Sequence, residues 1–254
     1  MDVELYNWML VFLRVSAFLL VLPFFTMTNF PVTMRVALGA LIALLIAPSL
    51  PEFQLGRLSF ISILEVMVQE VSVGMALGFV ARMIFYSVDI AGAIISNEMG
   101  LNLASIMDPI TQQSSQVMGT ILMILSTLVM LTLNLHHWML LGFARTYDIL
   151  PIGTAHLQTA LFDVVVAKTS HVFTVALQIS APVIAVSFVI TLVFSILSRA
   201  VPQMNVFSEM FGFRLVGGMI VFGFTLQLTA QYVANYLNRL PTDLLTVAQI
   251  MRGR

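Results

Sequence analysis

Two carboxylates, Glu98 and Asp108, lie within a polar segment, residues 96–116, that interrupts an otherwise apolar sequence. Polar, irregular backbone at membrane depth is tolerated only where it is buried in protein or lines a water-filled cavity. The segment therefore predicts a channel, a transport site or a plug, and the carboxylates could line a path or set its conformation. The alternative is a capped helix end at Glu98 and a turn at Asp108, since Asp-Pro favours turn initiation.

Histidines offer a second candidate chemistry, metal binding or a proton relay, at His136 and His137. Neighbouring residues on a helix point about 100° apart, so an adjacent pair makes a poor set of metal ligands. His156 and His171 lie in another part of the chain and do not add zinc-site spacing. An interfacial anchor, formed with the adjacent Trp138, is the favoured interpretation.

Charged side chains recur within or beside the apolar stretches, and each costs about 2.5–3.5 kcal/mol at the centre of a membrane helix. Exposure of the whole set to lipid would cost on the order of 10–20 kcal/mol. These charges must therefore pair, face water or be buried against other subunits, which predicts a chain that belongs to a larger assembly. These residues are Arg14, Arg35, Glu65, Glu70, Arg82, Asp89, Glu98, Glu209 and Arg214.

Seven of these charges, all except Arg14 and Arg35, are candidates for inter-helix or inter-subunit pairing. A proton-coupling network through Glu65, Glu70, Arg82 and Asp89 is the alternative that the spacing leaves open. Glu209 and Arg214 are five residues apart, which suits pairing between subunits better than a local bridge.

Composition places the chain among integral membrane proteins. Of its 254 residues 59% are hydrophobic and 9% are charged, with a mean hydropathy of +1.01, whereas soluble domains are about 25% charged. With a net charge of -1, the chain lacks the excess of basic residues that nucleic-acid binding requires. Without cysteine, disulfides and thiolate metal sites are excluded. No phosphate-binding loop or hydrolase motif occurs, so we expect neither catalysis nor a cofactor.

Six apolar stretches predict an all-α, membrane-type protein of about six long or bent helices arranged in hairpins. The third stretch would exceed about 50 Å as one helix, so it is either a long or bent helix or two helices broken near Ser87. The glycines at 74 and 78, and those at 217 and 218, predict close helix packing. No repeat or linker divides residues 1–254, which predicts a single helical domain. The stretches cover residues 5–25, 32–50, 58–95, 117–143, 172–197 and 206–237.

Three ordered motifs resemble those of the FliR family of flagellar biosynthetic proteins. Residues 92–101, Gly-Ala-Ile-Ile-Ser-Asn-Glu-Met-Gly-Leu, run into Ala-Ser-Ile-Met-Asp-Pro at 104–109 and resemble its central motif. Asn-Leu-His-His-Trp at 134–138 resembles a second element, and Ser-Arg-Ala-Val-Pro-Gln-Met-Asn-Val-Phe at 198–207 resembles a third. The family usually has Glu, Gln and Gly where this chain has Ala93, Glu98 and Leu135, so no carboxylate role is assigned at position 93.

The resemblance implies a subunit of the type III secretion export gate in the bacterial inner membrane, at the flagellar basal body. One copy would assemble with several FliP-type and FliQ-type subunits and pass unfolded flagellar proteins. Residues 1–175 would form a FliP-like part, and residues 176–254 a FliQ-like part whose hairpin covers about 181–237. An FlhB-type switch protein would be a further partner.

The same resemblance assigns roles to two short segments. Residues 104–116 would plug the channel, with Ile106 and Met107 at the apolar tip and a turn fixed by Asp108 and Pro109. The bend of the hairpin would meet the FlhB-type protein through Pro202, Gln203, Met204 and Asn205. The implied plug residues are Ala104, Ser105, Ile106, Met107, Asp108, Pro109, Ile110, Thr111, Gln112 and Gln113.

Two other functions explain the polar segment. A proton- or solute-coupled transporter would place discontinuous helices around a midplane site, although that class often shows internal repeats and none is visible here. A scaffold without a channel role is the other alternative, and it would tolerate changes in residues 104–116.

Overall fold

The computed structural model describes residues 2–22, 31–51, 59–102, 117–156, 159–201, 203 and 205–252. These residues are almost all helical, and the described ranges contain no strand. The predicted all-α fold is therefore confirmed.

Seven α-helices and one short 3₁₀ helix follow one another along the described residues. The 3₁₀ helix, Ala47–Ser49, continues directly from the second α-helix. The α-helices are α1 (Asp2–Val21), α2 (Val32–Ile46), α3 (Phe60–Glu98), α4 (Val117–Thr132), α5 (Leu135–Ile149), α6 (Thr159–Ala200) and α7 (Val206–Arg252).

The third apolar stretch forms one helix. α3 runs through 39 residues without the interruption near Ser87 that was one of the sequence alternatives. At 1.5 Å per residue its length is about 58 Å, which is well above the hydrocarbon thickness of about 30 Å.

The fourth apolar stretch contains a break that hydropathy does not reveal. α4 ends at Thr132 and α5 begins at Leu135. Between them Asn134 adopts a left-handed conformation with φ 54°, which asparagine tolerates better than most residues because its short polar side chain can bond locally. Its carbonyl oxygen accepts a hydrogen bond from the His137 amide at 3.1 Å, which starts the new helix.

Among the described residues, four helical segments are long and apolar enough to cross a membrane. They are Val32–Ser49, Phe60–Glu98, Thr159–Ala200 and Ser208–Arg252. α4 and α5 pass the same test together as one interrupted span, and the apolar part of α1, Leu5–Val21, is shorter. The chain is thus a membrane-type helical protein, as its composition predicted.

The chain divides into two compact units, each assembled from separate stretches of sequence. The first unit contains Met1–Met83, Asn134–Thr169 and Leu237–Arg254. In it, a Cβ atom on Gly74 would lie 2.3 Å from the Arg14 carbonyl oxygen, and one on Gly78 would lie 2.9 Å from the Phe18 carbonyl oxygen. The close packing predicted for this glycine pair is confirmed, because α1 lies directly against the α3 backbone.

The second unit contains Ile84–Leu133 and Ser170–Tyr236. α3 meets α4 at Gly92, where an added Cβ would lie 2.2 Å from the Gly119 Cα atom. α6 and α7 form an antiparallel hairpin in which the rings of Phe194 and Phe213 are 5.3 Å apart between centroids. Gly217 packs within this hairpin, where a Cβ would lie 3.0 Å from the Ile190 side chain.

Candidate functional site

The predicted plug residues, 104–113, lie outside the described residues, as do Pro202 and Met204 of the predicted partner contact. The described chain reaches Asn102 on one side of the 103–116 segment and resumes at Val117 on the other. We call the residues on these two sides, 96–102 and 117–119, the segment base. The candidate site is described from the segment base, because these residues are the described neighbours of residues 103–116 along the chain.

On the entry side of the segment base, α3 ends in a Schellman motif. The Leu101 amide donates to the Ser96 carbonyl at 2.9 Å, and the Gly100 amide donates to the Asn97 carbonyl at 3.0 Å. Gly100 has φ 74°, a left-handed conformation that glycine adopts without the steric cost of a Cβ. The Asn102 side-chain amide also donates to the Asn97 side-chain oxygen. These hydrogen bonds fix the path of the backbone from the end of α3 to Asn102.

The same helix end packs against α6 and α7. The Met99 side chain is fully buried, and a Cβ placed on Gly218 of α7 would lie 2.7 Å from its Cγ atom. The Ser187 hydroxyl of α6 donates to the Glu98 carbonyl at 3.3 Å. Helix C-terminal carbonyls lack intrahelical partners, so Ser187 satisfies an acceptor that the end of α3 leaves open.

On the exit side of the segment base, the first turn of α4 is held against α3. Met118 and Gly119 are both buried while Val117 is exposed. Because Gly92 and Gly119 both lack a side chain, the two backbones meet directly at this crossing. Both ends of the segment are therefore anchored in the second unit.

The hairpin bend is exposed where the structure describes it. α6 ends at Ala200 and α7 begins at Val206, and the described bend residues Gln203 and Asn205 are both exposed. Asn205 caps the N-terminus of α7, since its carbonyl accepts from the Ser208 amide at 3.1 Å and its side-chain oxygen accepts from the same amide at 3.4 Å. The two predicted contact residues that can be placed are accessible to a partner.

In the first unit, Glu70 forms a buried ion pair with Arg14. The Arg14 Nε lies 2.5 Å from Glu70 Oε2 and its Nη2 lies 2.9 Å from Oε1, and both side chains are 0% exposed. Nη1 of Arg14 donates to the Leu150 carbonyl at 3.0 Å, and the Gly153 amide donates to Glu70 Oε1 at 3.0 Å. The guanidinium carbon also lies 4.1 Å from the Tyr147 ring centroid.

This arrangement favours a structural role for Glu70 over proton coupling. Both oxygens of Glu70 accept hydrogen bonds and its charge is balanced by a bidentate guanidinium. The pair joins α1, α3 and the turn at residues 150–153 that follows α5. The sequence identified both side chains as embedded charges but gave no signal that Arg14 was the partner, 56 residues away.

The other predicted charges lie in different surroundings. The Arg82 guanidinium donates to the Val21 carbonyl at 3.2 Å, and the Arg214 guanidinium donates to the Thr191 hydroxyl. Asp89 and Glu98 are half-buried, whereas Glu65 and Glu209 are exposed. These charged residues therefore lie in separate environments of the described chain.

Metal binding has no candidate site among the described residues. No group of three or more His, Cys, Asp or Glu side chains comes within reach of one ion there. The His136 and His137 rings pack against each other with centroids 4.0 Å apart, and Trp138 is exposed. This arrangement presents aromatic surface near the start of α5.

The chain is similar to proteins of bacterial export systems. Residues 5–240 match the family described as bacterial export proteins, family 1. The flagellar biosynthetic protein FliR of Escherichia coli (strain K12) is 31% identical over 229 residues, covering 90% of this chain and 87% of that protein. The FliR of Bacillus subtilis (strain 168) is 31% identical over 206 residues, with coverage of 79% and 78%. That of Pectobacterium carotovorum is 29% identical over 252 residues, with coverage of 96% and 95%.

These matches confirm the resemblance that the three sequence motifs indicated. The similarity extends along nearly the whole chain and includes the helices that form both sides of the segment base. The chain belongs to the bacterial export proteins, family 1, the family of the FliR flagellar biosynthetic proteins.

Proposed function

We propose that this chain is a core subunit of the flagellar type III secretion export gate in the bacterial inner membrane, at the flagellar basal body. With FliP-type and FliQ-type subunits it forms the channel for unfolded flagellar proteins, and residues 104–116 close that channel. The FliP-like part covers residues 1–175 and the FliQ-like part covers residues 176–254. An FlhB-type protein contacts the bend at residues 202–205.

One observation carries the proposal. In a chain of the export family, the residues on both sides of a polar segment are held by buried contacts. The described chain passes the end of α3 as far as Asn102 and resumes at Val117, and the helix ends on both sides are held by buried contacts. A short polar segment suits a plug when the residues on both sides of it are held in place, because its points of entry and exit are then fixed.

Exposed surfaces on α6 and α7 support an assembly of several subunits. In the most apolar windows of these two helical segments, 28% and 11% of residues are buried within the chain, so most of this surface must meet lipid or other subunits. On α7 the exposed amides Gln227, Gln231 and Asn235 recur every four residues along one face. Amides without hydrogen-bond partners are costly in hydrocarbon. A face that carries them suits a contact with another subunit or with water.

The plug is tested by replacing residues 106–111 with a Gly/Ser linker of the same length. Cells that contain the assembled gate should then leak small ions, since the apolar tip and the turn at Asp108 are lost. Thr111→Ser is the control, because it keeps the hydroxyl and the length of the segment. An unchanged leak in the linker variant, with normal amounts of assembled gate, would refute the plug.

The partner contact is tested at the two bend residues that the structure describes. Gln203→Ala with Asn205→Ser should reduce the amount of FlhB-type protein that co-purifies with the gate. Serine at 205 keeps an oxygen that can cap α7, so a lower yield is not caused by a lost helix cap. Equal co-purification in the variant and the unchanged protein would contradict the contact.

The assembly itself is tested by the mass of the detergent-solubilised complex after co-expression with FliP-type and FliQ-type proteins. One copy of this chain in a larger complex of defined mass is expected. A stable solitary monomer or dimer would contradict the proposal and favour the transporter. In that case neutralising Glu65, Glu70 or Asp89 should abolish substrate-coupled proton uptake.

A further inference from the structure

We propose that a cavity in the first unit receives a lysine side chain of a neighbouring subunit, whose ammonium group binds Asp148 and the Tyr147 hydroxyl. The cavity has a volume of about 260 Å³ and lies where two helical segments end, the 3₁₀ helix after α2 and the C-terminus of α5. We call it the α5-end cavity. The inference rests on the proposed assembly and adds the chemistry of one subunit contact to it.

The walls of the α5-end cavity are largely apolar. Leu50 and Pro51 line it after the 3₁₀ helix, and Pro151 and Ile152 line it from the turn after α5. An apolar cavity of about 150 Å³ holds a benzene molecule, so the larger volume here has room for an extended chain of methylene groups. Lysine buries such a stem along apolar surface and keeps its charged head at a polar group. The walls therefore suit the stem of a lysine side chain.

Two polar side chains at the end of α5 determine which head group fits. The Tyr147 side chain is 2% exposed, and its hydroxyl has no hydrogen-bond partner among the described residues. Buried side-chain polar groups nearly always have a partner, so an unpaired hydroxyl in the wall of a cavity indicates a group that binds there. Asp148 also lines the cavity and is exposed. It belongs to neither of the ion pairs that the described residues form.

The electrostatics of the cavity select a cation. Helix C-termini carry a partial negative charge, and the Asp148 carboxylate adds a full one at the end of α5. The nearest described cation, Arg14, lies 4.1 Å from the centroid of the Tyr147 ring, but Glu70 balances its charge. An anion or a phospholipid phosphate would therefore be repelled. An ammonium group has three donors in different directions, which suits one bond to a carboxylate and another to a hydroxyl.

Hydrogen bonds hold the walls of the cavity in place. The Asn7 side-chain amide donates to the Pro51 carbonyl at 3.2 Å. On the other side, the Thr154 hydroxyl donates to the Pro151 carbonyl at 2.8 Å. The cavity is thus formed within this chain before a ligand binds, which lowers the entropic cost of binding.

The ammonium group must come from a different protein. Lys168 is the only lysine in the sequence, and its Nζ atom lies 2.6 Å from the Asp243 carboxylate. Neither this chain nor a second copy of it therefore offers a free lysine to Asp148. Another kind of subunit in the complex is the source that remains.

Binding of n-butylammonium, the analogue of the lysine side chain, tests the cavity in the isolated full-length chain. Saturation-transfer NMR in detergent follows a titration with the amine, and n-butanol is the neutral probe of the same size. Asp148→Asn should weaken amine binding about tenfold or more, because a hydrogen bond between charged groups is lost. Tyr147→Phe should weaken it about threefold through the loss of one acceptor.

Asp163→Asn is the matched control for the titration. Asp163 is exposed and belongs to the same unit, so its substitution removes an equal charge from the surface and should leave amine binding unchanged. All variants are measured in the same detergent, so uptake of the amine by micelles is common to them. Equal binding by the unchanged protein, Asp148→Asn and Tyr147→Phe would overturn the inference, and so would equal binding of n-butanol.

Coupling with a carbodiimide tests the source of the ammonium group in the complex purified after co-expression. This reagent joins a carboxylate to an amine in contact with it and adds no spacer. Lys168 and Asp243 should couple within this chain and serve as the internal control. Asp148 should couple to a lysine of another subunit, identified by mass spectrometry of the joined peptides. The product should be absent from the Asp148→Asn complex.

The outcomes separate this inference from the proposed function. Amine binding that depends on Asp148, together with coupling of Asp148 to another subunit, supports the inference. A complex of the expected mass in which Lys168 couples and Asp148 does not refutes the inference alone. Coupling of Asp148 to phosphatidylethanolamine would identify a lipid in the cavity and also overturn it. A chain that binds the amine but remains a monomer refutes the proposed assembly, and the lysine contact with it.

Discussion

Removing Glu70 should destabilise the protein more than removing any exposed charge that the structure describes. In Glu70→Ala the Arg14 guanidinium stays buried at 0% exposure without its carboxylate. The Gly153 amide loses its acceptor at the same time. The contacts of Arg14 with the Leu150 carbonyl and the Tyr147 ring remain, but neither carries a full negative charge.

The expected loss follows from these contacts. Breaking a buried ion pair from one side costs about 3–5 kcal/mol, because the remaining charge is left uncompensated. For a chain of this size each kcal/mol lowers the melting temperature by about 2–4 °C. We therefore expect Glu70→Ala to lower the unfolding midpoint by about 6–20 °C. Glu70→Gln keeps an oxygen for the Gly153 amide, so its loss should be smaller.

Thermal unfolding of the detergent-solubilised protein measures this difference. Glu65→Ala is the matched control, since Glu65 is exposed and lies five residues earlier on the same helix, where substitutions change stability by about 0.5 kcal/mol or less. Arg14→Met with Glu70→Leu should recover most of the loss, because an apolar pair can replace a buried ion pair. Recovery should be incomplete, since the Leu150 carbonyl and Gly153 amide lose their partners. Equal midpoints for Glu70→Ala and Glu65→Ala would refute the reasoning.

Three further substitutions should shift the same unfolding midpoint by smaller amounts. Gly92→Ala should lower stability by about 1–3 kcal/mol through overpacking against Gly119, and an increase would show that the two helices separate easily. Gly100→Ala should cost about 1–2 kcal/mol, because alanine at φ 74° is strained; no loss would contradict the Schellman ending. Lys168→Ala should cost about 1 kcal/mol or less, since its pair with Asp243 at 2.6 Å is partly exposed, and a larger loss would reveal an unrecognised role.

The helices could be predicted from sequence because hydropathy is a local property. Each of the six apolar stretches contains helix in the structure. The break at Asn134 was not predicted, since one asparagine hardly changes the hydropathy of the residues around it. The break arises from the left-handed backbone conformation of Asn134. A hydropathy pattern contains no information on backbone dihedral angles.

The site could be predicted only in part, for a related reason. The polar segment and the bend were recognisable as short motifs with a fixed order. The contacts at the segment base join Met99 to Gly218 and Glu98 to Ser187, residues that are far apart in sequence. A buried methionine in an apolar helix looks like ordinary packing until the glycine that receives it is known. Such pairings are a product of the tertiary fold and have no local signal.

The structure also changes the reason for expecting partner subunits. The sequence argument counted every embedded charge as a cost in lipid, but Arg14 and Glu70 satisfy each other inside the chain. Glu65 lies in the second turn of α3 and Glu209 in the first turn of α7, where long side chains can reach a polar boundary.

The embedded charges are therefore a weaker reason to expect an assembly than the sequence suggested. The exposed amides Gln227, Gln231 and Asn235 of α7 supply a further reason, because they recur every four residues on one face of that helix. An exposed amide on an apolar helix needs hydrogen-bond partners from water or from another subunit. Leucine at these three positions should consequently spare the fold of this chain and lower the yield of the assembled complex.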